Sequence, residues 1–164
     1  MDFSFASRKD LPELLALFQA ATRSMDAQGI HQWDEIYPDK TVLSEDIECG
    51  IMEVGQIADR IAVAFALEEC APSDYEDAKW RYAAERIVVL HRLCVHPAFQ
   101  GKGIARGAMD YLERRVSERG ISTIRLDAFS QNPAALKLYE SRGYEKAGEI
   151  VYRKGLFYLY EKKL

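Results

Sequence analysis

The run Leu93-Cys94-Val95-His96-Pro97-Ala98-Phe99-Gln100-Gly101-Lys102-Gly103-Ile104-Ala105-Arg106 holds the residues best suited to chemistry. An apolar strand leads into a glycine-rich turn, and the turn opens an amphipathic helix. Glycine lets a backbone approach a ligand with no Cβ in the way. The first amides of a helix have no partner within it and lie at the positive end of its dipole, so they attract an anion. Lys102 and Arg106 add positive charge. These features predict a cradle for a phosphate or pyrophosphate.

Two familiar phosphate loops fit poorly. A nucleoside-triphosphate loop needs Ser or Thr after Gly-Lys, and here Gly103 follows Lys102. A dinucleotide fold is a nearer rival, because Gly101, Gly103 and Gly107 almost make its fingerprint. Asp127 even stands about 20 residues on, where a ribose-binding acid is expected. Yet five residues separate Val95 from Gly101, whereas the dinucleotide turn follows its strand tightly. The motif also comes too late in the chain to leave room for the remaining βαβ units.

The elements that must position this loop follow from apolar spacing and punctuation. Residues 3–8 read as a first strand. Asp10-Leu11-Pro12-Glu13 starts a helix, with Asp10 as cap and Pro12 in the first turn. Residues 24–39 are irregular, and 41–48 form a second helix closed by Gly50. Residues 51–57 and 61–67 are strands joined in a hairpin at Asp59-Arg60. A polar insertion spans 68–84. Residues 86–95 are a strand with the apolar run of one covered on both faces. Then come a helix over 104–119, a strand over 123–129, a helix over 133–142 and strands over 144–152 and 156–161. This predicts an α/β fold of the α+β type: a mixed sheet of about seven strands with four helices, in one domain over residues 1–164. The strands ending at Val95 and Phe129 should be parallel neighbours that splay apart at their C-terminal ends, because a helix separates them.

Gln100-x-x-Gly103-x-Ala105, after Val95-His96-Pro97, resembles the coenzyme A loop of the GNAT superfamily of N-acetyltransferases. That pattern is Gln or Arg, then x-x-Gly-x-Gly or Ala. Asn132-Pro133-Ala134-Ala135-Leu136-Lys137-Leu138-Tyr139-Glu140-Ser141-Arg142-Gly143-Tyr144 resembles the second signature of the family, and the element order matches over almost the whole chain. The resemblance implies the GNAT-like acyl-coenzyme A fold, acetyl-coenzyme A as cosubstrate, and direct transfer of acetyl to a primary amine in a ternary complex. It implies cofactor contacts from Leu93, Cys94, Val95, Gln100, Gly101, Lys102, Gly103, Ile104, Ala105, Arg106, Asn132 and Tyr139. It also makes Tyr139 the general acid for the departing thiolate. An acyl-coenzyme A-binding module without turnover, or a dinucleotide-dependent oxidoreductase, are the alternatives.

The residues themselves also have plainer roles. Asn132 would cap a helix whose first residue is Pro133. An aromatic such as Tyr139, two turns into a helix, is ordinarily core. His91 and Arg92 are adjacent in a strand, so they should project to opposite faces and need polar partners if buried. His91 is a candidate base, with Glu85 and Glu68 as rivals. Asp127 is expected to make structural polar contacts within its strand, and Cys94 to be a small core residue. Trp33, Tyr37, Tyr75 and Trp80 stand in loop-like segments that the family leaves variable. They could hold a cationic acceptor, with Asp34, Glu35 and Asp74 as countercharge, or simply pin the loops.

The net charge of -4 argues against nucleic acid, which needs clustered Lys and Arg. Cys49, Cys70 and Cys94 fit no metal pattern, so no metal is expected, and their odd number suits a reducing cytoplasm. Met1-Asp2-Phe3-Ser4 does not look like a signal peptide, and no apolar run reaches the length of a membrane span. The expected partner is a small-molecule or peptide amine. A homodimer is left open.

Overall fold

Apolar residues at helical and strand spacing divide the chain much as expected. The computed structural model describes residues 1–76, 78–83 and 86–164. Its elements are β1 (Asp2–Phe5), α1 (Leu11–Asp26), α2 (Lys40–Glu48), β2 (Met52–Ile57), β3 (Arg60–Glu68), β4 (Val88–Val95), α3 (Ile104–Glu118), β5 (Thr123–Phe129), α4 (Pro133–Ser141), β6 (Glu145–Tyr152) and β7 (Gly155–Lys163). The strands form a seven-stranded mixed sheet in the order β1-β2-β3-β4-β5-β7-β6. β1 with β2, β2 with β3, β5 with β7 and β6 with β7 are antiparallel. β4 and β5 are parallel, as a strand–helix–strand crossover requires. Their ladder pairs Val88, Val89 and Leu90 with Ile124, Arg125 and Leu126, while β4 runs on to Val95 and β5 to Phe129.

Two compact units divide the chain. The first comprises Met1–Leu67 with Arg92–Ala108, the second Glu68–His91 with Met109–Leu164. The first unit is built on Leu14, Leu17, Phe18 and Ala21 of α1 and on Leu43 and Ile47 of α2. They pack with Met52, Val54, Ile61, Ala64, Ala66 and Cys94. β3 is almost wholly buried from Ile61 to Leu67, which accounts for its unbroken apolar run. Asp39 caps α2, its Oδ1 accepting from the Val42 amide at 2.9 Å.

Several boundaries differ from the sequence expectation. β1 stops at Phe5, because a single 3-10 turn, Arg8–Asp10, precedes α1. The carboxylate of Asp10 therefore closes that turn, accepting from Ser7 N and Ser7 Oγ at 2.7 and 2.8 Å, and does not cap α1. α1 continues through Ser24 to Asp26. The β2–β3 hairpin turns on Ala58 and Asp59, one residue earlier than expected, with φ of 47° and 58°. Two left-handed residues give the twist that a tight hairpin needs.

In the second unit, Tyr75, Val89 and Leu159 form a core with Trp80, Ile87 and Ile150 packed against it. The polar insertion is thus anchored by an aromatic residue. β4 begins at Val88, and Arg86 instead pairs with Glu69 at 3.0 Å. α4 is capped as expected, with Ala135 N donating to Asn132 Oδ1 at 3.2 Å and Pro133 as first residue. Its far end is tied to α3. Arg142 donates to Glu113 through Nε at 3.1 Å and Nη2 at 2.8 Å, and Lys162 Nζ donates to the same carboxylate at 2.7 Å. Burial works against the charge on Glu113, but Arg142 and Lys162 hold its carboxyl below the usual value.

Candidate active site

In the first unit, β4 ends at Val95 and a 3-10 turn, Pro97–Phe99, carries the chain to the loop. His96 N donates to Ala62 O at 2.9 Å, and His96 Nδ1 accepts from Ala98 N at 3.1 Å. The Gln100 side chain folds back, its Nε2 donating to Val95 O at 3.0 Å. Lys102 Nζ donates to Ala98 O at 2.9 Å. Each long side chain therefore braces the turn from which it grows.

Gly101 and Gly103 have φ of 72° and 79°, and among the described residues, chain neighbours aside, no heavy atom lies within 4 Å of where a Cβ would stand on either. The turn thus needs residues that tolerate a left-handed backbone, and it leaves their outer side open. Gly107 N donates to Gly103 O at 3.0 Å, so Gly103 caps α3. The amides of Ile104, Ala105 and Arg106 are then first-turn donors with no acceptor inside the helix. Arg106 is exposed, Ile104 and Ala105 are half-buried, and no acidic side chain occupies the first turn. An anion is the chemistry that such a turn can hold. Leu93 and Val95 are half-buried on β4, whereas Cys94 is core, and burial pushes its thiol well above the usual range. Cys94 can offer backbone, not a nucleophile.

In the second unit, Tyr139 is buried in α4, with Tyr144 edge-on at 5.7 Å and Tyr160 at 6.4 Å between ring centroids. Burial raises its pKa, with the charge of Asp127 adding to the effect. The phenol is therefore neutral across the ordinary pH range. His91 Nε2 lies 3.5 Å from Glu68 Oε2, and the His91 side chain is 13% exposed. Two of the three candidate bases are thus neighbours. Glu85 lies outside the described residues. Asp127 accepts from Tyr75 Oη at 2.6 Å, so this polar partner comes from the insertion and not, as expected, from within its own strand.

The four candidate acceptor aromatics do not behave alike. Trp33 is 7% exposed and packs on Phe18 at 5.3 Å in the core of the first unit. Tyr75 is 1% exposed. Its ring meets Trp80 at 5.7 Å, and its carbonyl accepts from Trp80 Nε1 at 2.9 Å. Arg125 stacks over Trp80 at 4.1 Å. For Trp33 and Tyr75 this burial is the pinning role, with the ring faces already covered by protein. Trp80 keeps some exposure, but Arg125 already supplies a cation to its ring. Tyr37 is the most open of the four, at 38%.

Residue spacing alone does not reveal the partner of Arg92. Arg92 Nε and Nη2 donate to Asp46 Oδ2 and Oδ1 at 2.7 and 2.6 Å, and Arg92 Nη1 donates to Tyr37 Oη at 2.8 Å. A signal was present. Leu43, Asp46 and Ile47 share one face of α2 at i, i+3 and i+4, so an acid stood on an apolar face. Arg92 itself has φ of 54°, which breaks the strand alternation assumed for His91 and Arg92.

Comparison with known proteins agrees with this geometry. A model of the acetyltransferase (GNAT) family matches residues 53–144, a stretch that contains the glycine loop and Tyr139. Over 58 residues the chain is 34% identical to the ribosomal protein bS18-alanine N-acetyltransferase of Escherichia coli K12, covering 35% of this chain and 39% of that enzyme. The match thus spans well under half the length of that relative. A GNAT-family acetyltransferase from Streptococcus agalactiae superposes with a TM-score of 0.87 at 21% identity, over 99% of this chain and 95% of that one. The PaiA N-acetyltransferase of Thermoplasma acidophilum, solved in complex with coenzyme A, does so at 0.73 and 17% identity, over 99% and 98%. At such identities the two structures speak for the fold, while the family match covers more than half of the sequence, and this chain belongs to the acetyltransferase (GNAT) family.

Proposed function

We propose that the chain transfers an acetyl group from acetyl-coenzyme A to a primary amine, with both substrates bound together in one catalytic domain. The observation that carries this reading is the loop between β4 and α3. Its two left-handed glycines leave their outer side open beside first-turn amides that have no acceptor in the helix. The pyrophosphate takes those amides, with Lys102 and Arg106 nearby in sequence. The backbone of Leu93, Cys94 and Val95 pairs with the pantetheine amides as an added strand would. The end of the β4–β5 ladder at Leu90 and Leu126 supports this. Asn132 adds a further cofactor contact.

The amine nitrogen attacks the thioester carbonyl, the carbon–sulfur bond then breaks, and the sulfur leaves with the electron pair. Tyr139 supplies a proton or hydrogen bond to that sulfur, and the amine proton passes to a base or water. A lysine-like amine must first lose a proton, at a cost of about 4.6 kcal/mol at pH 7. His91, beside Glu68, is the base in this scheme. The acceptor is a small-molecule or peptide amine; of the four candidate aromatics, Tyr37 and Trp80 are the two that are not buried.

Calorimetric titration with acetyl-coenzyme A and, separately, NADH tests the cofactor. Thiol release across polyamines, amino acids, aminoglycosides and peptide N-termini tests the acceptor. Binding of acetyl-coenzyme A with amine-dependent thiol release is expected. Binding of NADH alone would overturn the proposal, and tight acetyl-coenzyme A binding with no turnover on any amine would favour a binding module.

Two substitutions probe the parts. Gly103→Val should weaken acetyl-coenzyme A binding by roughly 5- to 30-fold, because a side chain at a left-handed φ strains the turn by about 1–2 kcal/mol. The fold should survive, since the new side chain enters open space. Unchanged affinity by calorimetry would remove the loop from the cofactor site. His91→Gln should flatten the limb of the rate profile that rises with pH, because Gln cannot take a proton. An unaltered profile in steady-state kinetics would return the task to Glu68, Glu85 or water.

A further inference from the structure

β4 contains a residue that a strand does not need. Arg92 has φ of 54°, a conformation that L-residues avoid because the Cβ crowds the following carbonyl. Its side chain supplies the restraint. Nε and Nη2 make two parallel bonds to Asp46 at 2.7 and 2.6 Å, and Nη1 makes a third to Tyr37 Oη at 2.8 Å. The pair is enclosed, with side-chain exposures of 11% and 7%. Both anchors are themselves held. Asp46 lies between Leu43 and Ile47 on the buried face of α2. Tyr37 closes a turn in which Asp34 Oδ1 accepts from Ile36 N at 3.1 Å and Tyr37 N at 3.2 Å. A guanidinium is a rigid planar fork, so three bonds fix where it lies and leave the backbone at Arg92 little freedom. The chain immediately beyond is Leu93-Cys94-Val95.

We propose that Arg92 is a positioning residue for the cofactor: clamped by Asp46 and Tyr37, it holds β4 in the left-handed kink that sets the backbone of Leu93 to Val95 for acetyl-coenzyme A. The role rests on the acetyl-transfer function proposed above. It assigns the clamp no contact with the reacting atoms. What the ion pair contributes is a backbone conformation, and glycine can adopt that conformation without the clamp.

Two double variants separate this role from simple stabilisation. Arg92→Met/Asp46→Leu and Arg92→Gly/Asp46→Leu both replace the enclosed ion pair with uncharged residues, which proteins tolerate far better than a lone buried charge. In the first, a non-glycine residue loses its clamp and relaxes toward an extended backbone. In calorimetric titration it should bind acetyl-coenzyme A about 10-fold more weakly, the scale of the strain involved. In steady state its KM for acetyl-coenzyme A should rise while kcat at saturation stays within about 3-fold of wild type. The glycine variant can re-enter the kink and should regain affinity to within about 3-fold of wild type. Its melting temperature should nevertheless be no higher than that of the methionine variant, because glycine gains freedom on unfolding. Affinity and stability then move apart, which a purely structural ion pair does not predict. Wild-type affinity in the methionine variant, or equal weakness in both, overturns the role. A wild-type protein that takes up no acetyl-coenzyme A overturns the acetyl-transfer function itself, and this role with it.

Discussion

Tyr139→Phe is expected to lower kcat by roughly 10- to 1,000-fold with little change in acetyl-coenzyme A affinity. The substitution removes one oxygen and keeps the ring with its packing against Tyr144 and Tyr160. Stability should change little, since the substitution nearly conserves volume and leaves the ring in place. The direction of the pKa shift shapes the chemistry. A thiol has a pKa of about 8.5 and an ordinary phenol about 10, so full proton transfer from Tyr139 to the leaving sulfur is already uphill. Burial raises the phenol further. In the proposed reaction Tyr139 would therefore act chiefly by hydrogen bonding to charge as it develops on sulfur, which favours the lower part of that range. The sign with pH follows. A raised phenol stays protonated in the folded protein through its ordinary value of 10.0, so Tyr139 imposes no fall in kcat near pH 10. It also favours the folded state below that pH, an advantage lost as pH rises toward the folded pKa. Steady-state kinetics and calorimetry on the variant decide the matter: full activity would return Tyr139 to the core.

The second large effect is on stability. Asp46→Asn should destabilise the protein by about 3–5 kcal/mol, because it leaves the Arg92 guanidinium enclosed without its counter-charge. For a chain of this size that corresponds to a fall in Tm of about 6–20 °C. Burial opposes the charge on Arg92, while Tyr37 and Asp46 raise its pKa, so the guanidinium will not escape by losing a proton. Tyr37→Phe removes only the third bond and should cost about 1 kcal/mol. Thermal unfolding of both variants by circular dichroism checks the ranking. A fall in Tm of only a degree or two for Asp46→Asn would show that the pair is solvated in solution.

Much of the fold and of the candidate cofactor loop was legible from residue order, because the signals are local. Gly101 and Gly103 announce a turn with no Cβ in the way, and both stand in the turn before α3. Asn132-Pro133 announces a helix start, and Asn132 caps α4. The apolar run of β4 announced a central strand, and the helix between β4 and β5 announced their parallel pairing. Caps, turns and periodicities act over a few residues, so their physics is complete within a short window.

The tertiary structure decided where local physics left two answers. Trp33 and Tyr75 could have been binding surfaces or core, since an aromatic residue in a loop carries the same sequence signal either way. Only packing against Phe18 and the bond to Asp127 made them core. The Asp10 carboxylate had two helical starts to serve, and the preceding turn took it. Arg92 was legible as a charge in an apolar strand that needed a partner. Its partner stands 46 residues away on α2, and its left-handed backbone is held by that distant bond. Long-range pairing of buried charge depends on which surfaces the folded chain brings together, and residue order alone does not contain it.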